Sequence, residues 1–76
     1  MKIAEVSVNP DWTLHVRATD GRQGSFDVRP YLAYEAFSAL IDPVEFSKLR
    51  NGAYYIEWEC GADLSADTIE AKLTEF

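Results

Sequence analysis

The feature that most constrains this chain is a change of hydrophobic period at Pro30. Before it, apolar residues recur at every second position. Ala4, Val6 and Val8 alternate with Glu5 and Ser7, and Trp12, Leu14, Val16 and Ala18 alternate with Thr13, His15 and Arg17. A period of two marks a strand with one buried face. Asn9-Pro10-Asp11 between the runs is turn chemistry, and Thr19-Asp20-Gly21-Arg22 centres a second turn on Asp-Gly. Gln23 to Val28 reads as a third strand, with Phe26 and Val28 opposite Ser25 and Asp27. Three strands joined by tight turns predict an antiparallel meander. Pro30 has no amide hydrogen for a ladder, and the pattern stops there.

Beyond Pro30 the spacing lengthens. Phe37, Leu40 and Ile41 fall at i, i+3 and i+4 and predict one helical stripe, which Tyr34 joins. Asp42 precedes Pro43, a position that avoids the α region, so this helix ends near Ile41. A second short helix follows, with Asp42 as N-cap, Pro43 first, Glu45 as capping-box partner, and Ile41 and Phe46 as a hydrophobic staple. Asn51-Gly52 predicts a turn, and Tyr54-Tyr55-Ile56-Glu57-Trp58 is rich in strand formers, so this region reads as a hairpin. The last helix has Ser65 as N-cap, Leu64 and Ile69 as staple, and Ile69, Leu73 and Phe76 as buried stripe. Asp67 and Glu70 suit the positive end of its dipole, and Lys72 the negative end.

The predicted architecture is a single α+β domain over residues 1–76. A small antiparallel sheet, the meander plus a later strand or hairpin, is covered on one face by two or three short helices. Seventy-six residues admit one domain, and 47% apolar composition excludes a disordered chain. Scaling by length gives a stability of about 4–11 kcal/mol.

Seven Lys and Arg against thirteen Asp and Glu give a net charge of −6. Such a surface repels phosphate backbones and anionic lipids, so direct nucleic-acid binding is disfavoured. One cysteine, Cys60, allows no intrachain disulfide, which points to a reducing, cytoplasmic setting. No segment has the ~20 apolar residues of a membrane span, and the N-terminus does not read as a signal peptide.

Catalytic signatures are sparse. His15 is the only histidine and lies on the polar face of a strand. One His and one Cys fall short of a zinc set, so no metal or other cofactor is expected. Cys60 sits beside Glu57 and Glu59, which oppose a thiolate, and reads as an inert thiol in a bend. The glycines are scattered in turns and make no phosphate-binding loop. Glu57, Glu59, Asp63 and Asp67 cluster in sequence, either as a solvated acidic face or as paired carboxylates able to hold a cation. Tyr54 and Tyr55 point to opposite faces, leaving at least one for partner contact. Trp58, Gly61 and Asp63 read as a strand-to-helix corner: Trp58 anchors the strand, Gly61 permits the bend, and Asp63 bonds the backbone before the cap.

Three stretches taken in order carry a resemblance. They are Phe26-Asp27-Val28-Arg29-Pro30-Tyr31-Leu32, Phe37-Ser38-Ala39-Leu40-Ile41-Asp42-Pro43-Val44-Glu45-Phe46, and Ile56-Glu57-Trp58-Glu59-Cys60-Gly61-Ala62-Asp63-Leu64-Ser65-Ala66-Asp67-Thr68. Together they resemble the bacterial family called domain of unknown function 2442, over nearly the whole chain. The resemblance implies a small α+β domain, often encoded beside another small protein in a toxin–antitoxin-like pair. It supplies no catalytic residues. Longer relatives add a helix-turn-helix, for which 76 residues leave no room. The family often has proline where Glu59 stands, a departure at the Glu59-Cys60 loop.

The expectation is therefore a non-enzymatic interaction or regulatory module, an acidic, antitoxin-like partner of a basic protein. Its candidate contact residues are Trp58, Glu57, Glu59, Gly61, Asp63, Tyr54 and Tyr55. The alternative is a small-molecule or cation site at the Trp58–Asp67 corner. A third reading is self-association through open sheet edges.

Overall fold

The alternating third folds into the predicted meander: β1 (Ile3–Val8), β2 (Thr13–Ala18) and β3 (Gln23–Asp27), in a computed structural model that describes Met1 to Phe76. Leu14, Val16, Phe26 and Val28 are fully buried on its inner face. The β1–β2 register slips between Ile3 and Glu5, leaving Ala4 as a bulge. The extra residue reverses the parity of the strand, so Ile3 and Val6 both reach the inner face. At the first turn Trp12 takes a positive φ of 61°. That conformation costs about 1–2 kcal/mol for a residue with a Cβ. It is offset by tertiary contacts: the indole N–H donates to Leu40 O at 2.7 Å, and the ring lies 6.4 Å from Phe46.

The connector after Pro30 differs from expectation in its pitch. A 3-10 turn (Arg29–Tyr31) and a 3-10 helix (Glu35–Ile41) replace the α-helix. With three residues per turn, Phe37 and Leu40 share the inner side, and Ile41, one residue further, rolls outward. Leu40 is buried, whereas Ile41 is 59% exposed and staples nothing. Helix α1 (Pro43–Ser47) starts where predicted, with Asp42 Oδ1 accepting from the Val44 N–H at 2.9 Å. Glu45 does not close a capping box. Its carboxylate takes Lys48 Nζ at 3.1 Å, and the Asp42 N–H donates to Ala39 O instead.

The later strands form a second sheet of their own: β4 (Leu49–Asn51), β5 (Tyr55–Trp58) and β6 (Asp63–Ser65), all antiparallel. They do not extend the meander because its edges are occupied. At β1, the Ile3 N–H donates to Ala53 O and Ile3 O accepts from Asn51 Nδ2. At β3, a two-residue strand β7 (Thr74–Glu75) pairs with Gly24 and Ser25. Helix α2 (Ala66–Lys72) is capped by Ser65, whose Oγ accepts from the Thr68 N–H at 3.1 Å, and Leu64 and Ile69 are both buried at the staple positions. The chain turns extended at Leu73, so Phe76 leaves the predicted stripe. It is 78% exposed and stacks on the His15 ring on the outer face of the first sheet.

One core of thirteen buried residues joins the two sheets, Leu40, Phe46 and helix α2. Trp58 and Phe46 stack at its centre with ring centroids 6.0 Å apart. No helix is long and apolar enough to cross a membrane.

Candidate functional site

The outer face of the second sheet gathers most of the candidate residues. Period two on β4 and β5 sends Leu49, Ile56 and Trp58 to the core, and Arg50, Tyr55 and Glu57 to the other side. Register places Arg50, Glu57 and Asp63 in one row across the three strands. Arg50 Nη2 and Nε both donate to Glu57 Oε1, at 2.6 and 3.1 Å. That bond, then the charge of Glu57, holds the Arg50 guanidinium above its ordinary pKa. Lys48 and Glu59 extend the pairing by one step, the Glu59 N–H donating to Lys48 O at 2.9 Å. The Lys48 ammonium is raised by its bond to Glu45, then by the charges of Glu45 and Glu59. A shallow cleft of about 370 Å³ lies here, lined by Lys48, Leu49, Arg50, Glu57, Trp58 and Glu59.

Not every predicted residue joins this face. Trp58 is 1% exposed, with its indole N–H bonded to Phe46 O at 2.8 Å, so it is the floor of the cleft and no contact residue. Tyr55 lies on the outer face with its ring against Gly52. Tyr54 belongs to the hairpin loop and meets the Lys2 ammonium, 6.0 Å from its ring centre.

The predicted strand-to-helix corner is a hairpin turn. Trp58 O accepts from the Gly61 N–H, the Trp58 N–H donates to Ala62 O, and Gly61 has φ +100°. Ala18, Gly21 and Arg22 repeat this arrangement between β2 and β3. Both are three-residue loops closed by glycine at positive φ. Gly61 is thus a turn residue, and Asp63 stands in β6 opposite Glu57, while Ser65 does the capping. No three of the His, Cys, Asp and Glu side chains converge as a metal set would.

The cleft's cations, Lys48 and Arg50, are not among the residues the sequence motifs single out. The signal was there: across an Asn51-Gly52 turn, residues 48 and 50 share a face with 57 and 59. All seven cations are in fact committed internally. Arg17, Arg22, Arg29, Lys48 and Arg50 pair with Glu5, Asp20 and Glu70, Asp27, Glu45 and Glu57. Lys2 and Lys72 lie over the rings of Tyr54 and Tyr31. Asp11, Glu35, Asp42, Glu59, Asp63, Asp67 and Glu75 are left without an ion pair. Three of these, Glu59, Asp63 and Asp67, surround the β5–β6 turn and the start of α2.

A family model described as protein of unknown function (DUF2442) matches residues 3–75. The chain belongs to the DUF2442 family. The match spans both sheets and every helix, so the cleft and the acidic turn lie within the DUF2442 unit. Comparison with curated proteins and with solved structures finds no match.

Proposed function

We propose that this DUF2442 chain is a non-enzymatic binding module that docks a basic protein on the outer face of its second sheet. One observation carries the reading. Every cation is already engaged within the molecule, and Glu59, Asp63 and Asp67, spread over the β5–β6 turn, β6 and the first turn of α2, have no ion pair. Uncompensated charge beside an exposed tyrosine is what a complementary positive surface recognises, and it speeds encounter more than it deepens affinity. The exposed Arg50–Glu57 ion pair lies in the same row as Asp63. Tyr55 adds a half-exposed aromatic surface beside them. The antitoxin-like role expected from the family resemblance is one form of this activity.

The test is affinity capture from the native host, with a Glu59→Lys/Asp63→Lys variant as second bait. The reading predicts a basic partner that elutes with salt and is lost by the variant. A partner held equally by both baits, or no specific partner, refutes it. The cleft favours a second reading, a small ligand bearing both charges seated between Arg50 and Glu59. A rise in melting temperature with such a ligand, abolished by Arg50→Ala, would select that reading instead.

A further inference from the structure

We infer that β1 pairs, antiparallel, with the β1 of a second copy along the free edge of the first sheet, about a two-fold axis at Ser7. The hydrogen-bond pattern fixes which backbone groups are free. The Asn9 N–H donates to Thr13 O, and the β1–β2 register runs unbroken from there back to Glu5. Bonded and non-bonded pairs alternate along an antiparallel ladder. Glu5 and Ser7 therefore turn their N–H and C=O groups to β2, and Val6 and Val8 turn theirs to the open side. Ile3, beyond the bulge at Ala4, also points outward, and there it meets Ala53 O and Asn51 Nδ2. That cover of the β1 edge ends at Ile3, and no bond from a turn or loop reaches Val6 or Val8.

The open stretch is its own complement. A copy in register about Ser7 sets Val6 of each chain opposite Val8 of the other, so every free N–H finds a carbonyl. A register about Val6 would oppose Val8 to the bulged Ala4, and one about Val8 would oppose Val6 to Pro10, which has no N–H. On the inner side the half-buried Val6 and Val8 meet as β-branched cross-strand pairs. On the outer side the two Ser7 side chains face each other, and Glu5 faces Asn9. Charge selects this edge for a second copy. A net charge of −6 opposes self-association in general. Glu5, however, is the only charge in β1, and Arg17 already pairs with it at 2.6 Å. Val6-Ser7-Val8 has neither the lysine nor the inward charge that blunts an edge strand. A two-fold contact of this kind needs the same patch on both copies, and β1 supplies it.

The test is sedimentation equilibrium of the full chain from about 10 µM to about 1 mM, with amide hydrogen exchange over the same range. A monomer–dimer equilibrium is expected, with exchange at Val6 and Val8 slowing as concentration rises. Ser7→Lys places like charges opposite each other at the axis and should weaken the dimer about fivefold or more, although it lowers the net negative charge. Ser7→Glu should do the same, and an equimolar mixture of the two variants should restore the dimer as a mixed pair. Both variants keep the backbone bonds to β2, and their amide spectra check the fold. A chain that stays monomeric throughout overturns the proposal. So does a dimer that Ser7→Lys leaves intact, or one whose new protection falls outside β1. The second-sheet site is scored separately by capture through Glu59 and Asp63, so either surface can fail alone.

Discussion

Residues 1–30 carry four carboxylates and four cations, and residues 31–76 carry nine against three, so the whole net charge of −6 belongs to the second part. The two parts nevertheless share a core and use the same glycine-closed turn, once at Gly21 and once at Gly61. In the first turn Asp20 pairs with Arg22. In the second, Glu59 meets only the charge of Lys48, which is already bonded to Glu45, and Asp63 has no ion pair. One piece of backbone geometry thus serves a neutral sheet and an acidic one. Function is to be sought where the charge is left over.

The largest expected effect separates the two tryptophans. Trp58→Ala should cost about 3–5 kcal/mol in chemical denaturation, comparable with the whole stability at the lower end of the range for this length. Trp12→Ala, at a half-buried site, should cost less, about 1–3 kcal/mol. If Trp12 proves the costlier, the core is centred on the first sheet rather than shared.

The glycines come next. A Cβ on Gly24 would collide with Thr74 O and the Glu75 backbone, so Gly24→Ala should strip β7 from β3 at about 1–3 kcal/mol. Hydrogen exchange at Thr74 and Phe76 should rise with it. Gly61→Ala meets no neighbour and bears only the strain of φ +100°, about 1–2 kcal/mol. Ser65→Ala should cost about 1 kcal/mol through the lost N-cap of α2.

The smallest effect concerns acid. Thr13 holds Asp11 below the ordinary carboxylate range through its hydroxyl, and the Arg22 N–H does so for Asp20. The Arg29 side chain lowers Asp27, and the Met1 ammonium lowers Glu70. A depressed carboxyl stabilises the fold above its unfolded pKa of about 4, and that contribution fades as pH falls through the folded value. Three of the four lie in residues 1–30. Amide exchange below about pH 4 should therefore loosen the turns of the first sheet before those of the second.

How much of this was legible in the sequence follows the same division. Leu14, Val16, Phe26 and Val28 alternate without exception, and the meander was readable from them. Asp42 and Ser65 announced their caps because capping is a local hydrogen bond. The pitch of the connector is not legible because seven residues cannot distinguish 3.0 residues per turn from 3.6, and tertiary packing decides where Ile41 points. Strand β6 hid because Asp63-Leu64-Ser65 is too short to show a period. The β7 strand hid because Ile69, Leu73 and Phe76 are spaced like a helix, whereas the chain is extended from Leu73 and packs closely on Gly24. At the site, Glu57, Glu59 and Asp63 were visible as acids, but their neutralisation, or lack of it, depends on which cation lies opposite.

The most direct test compares matched charge reversals on the same captured partner. Glu5→Lys/Asp20→Lys and Glu59→Lys/Asp63→Lys change the net charge equally, one in each part of the molecule. Binding is measured by titration calorimetry at two salt concentrations. A loss of about tenfold or more for the second pair alone, shrinking at high salt, is the predicted result. Equal losses for both pairs would mean that net charge, not the second sheet, attracts the partner, and would contradict the assignment of the site.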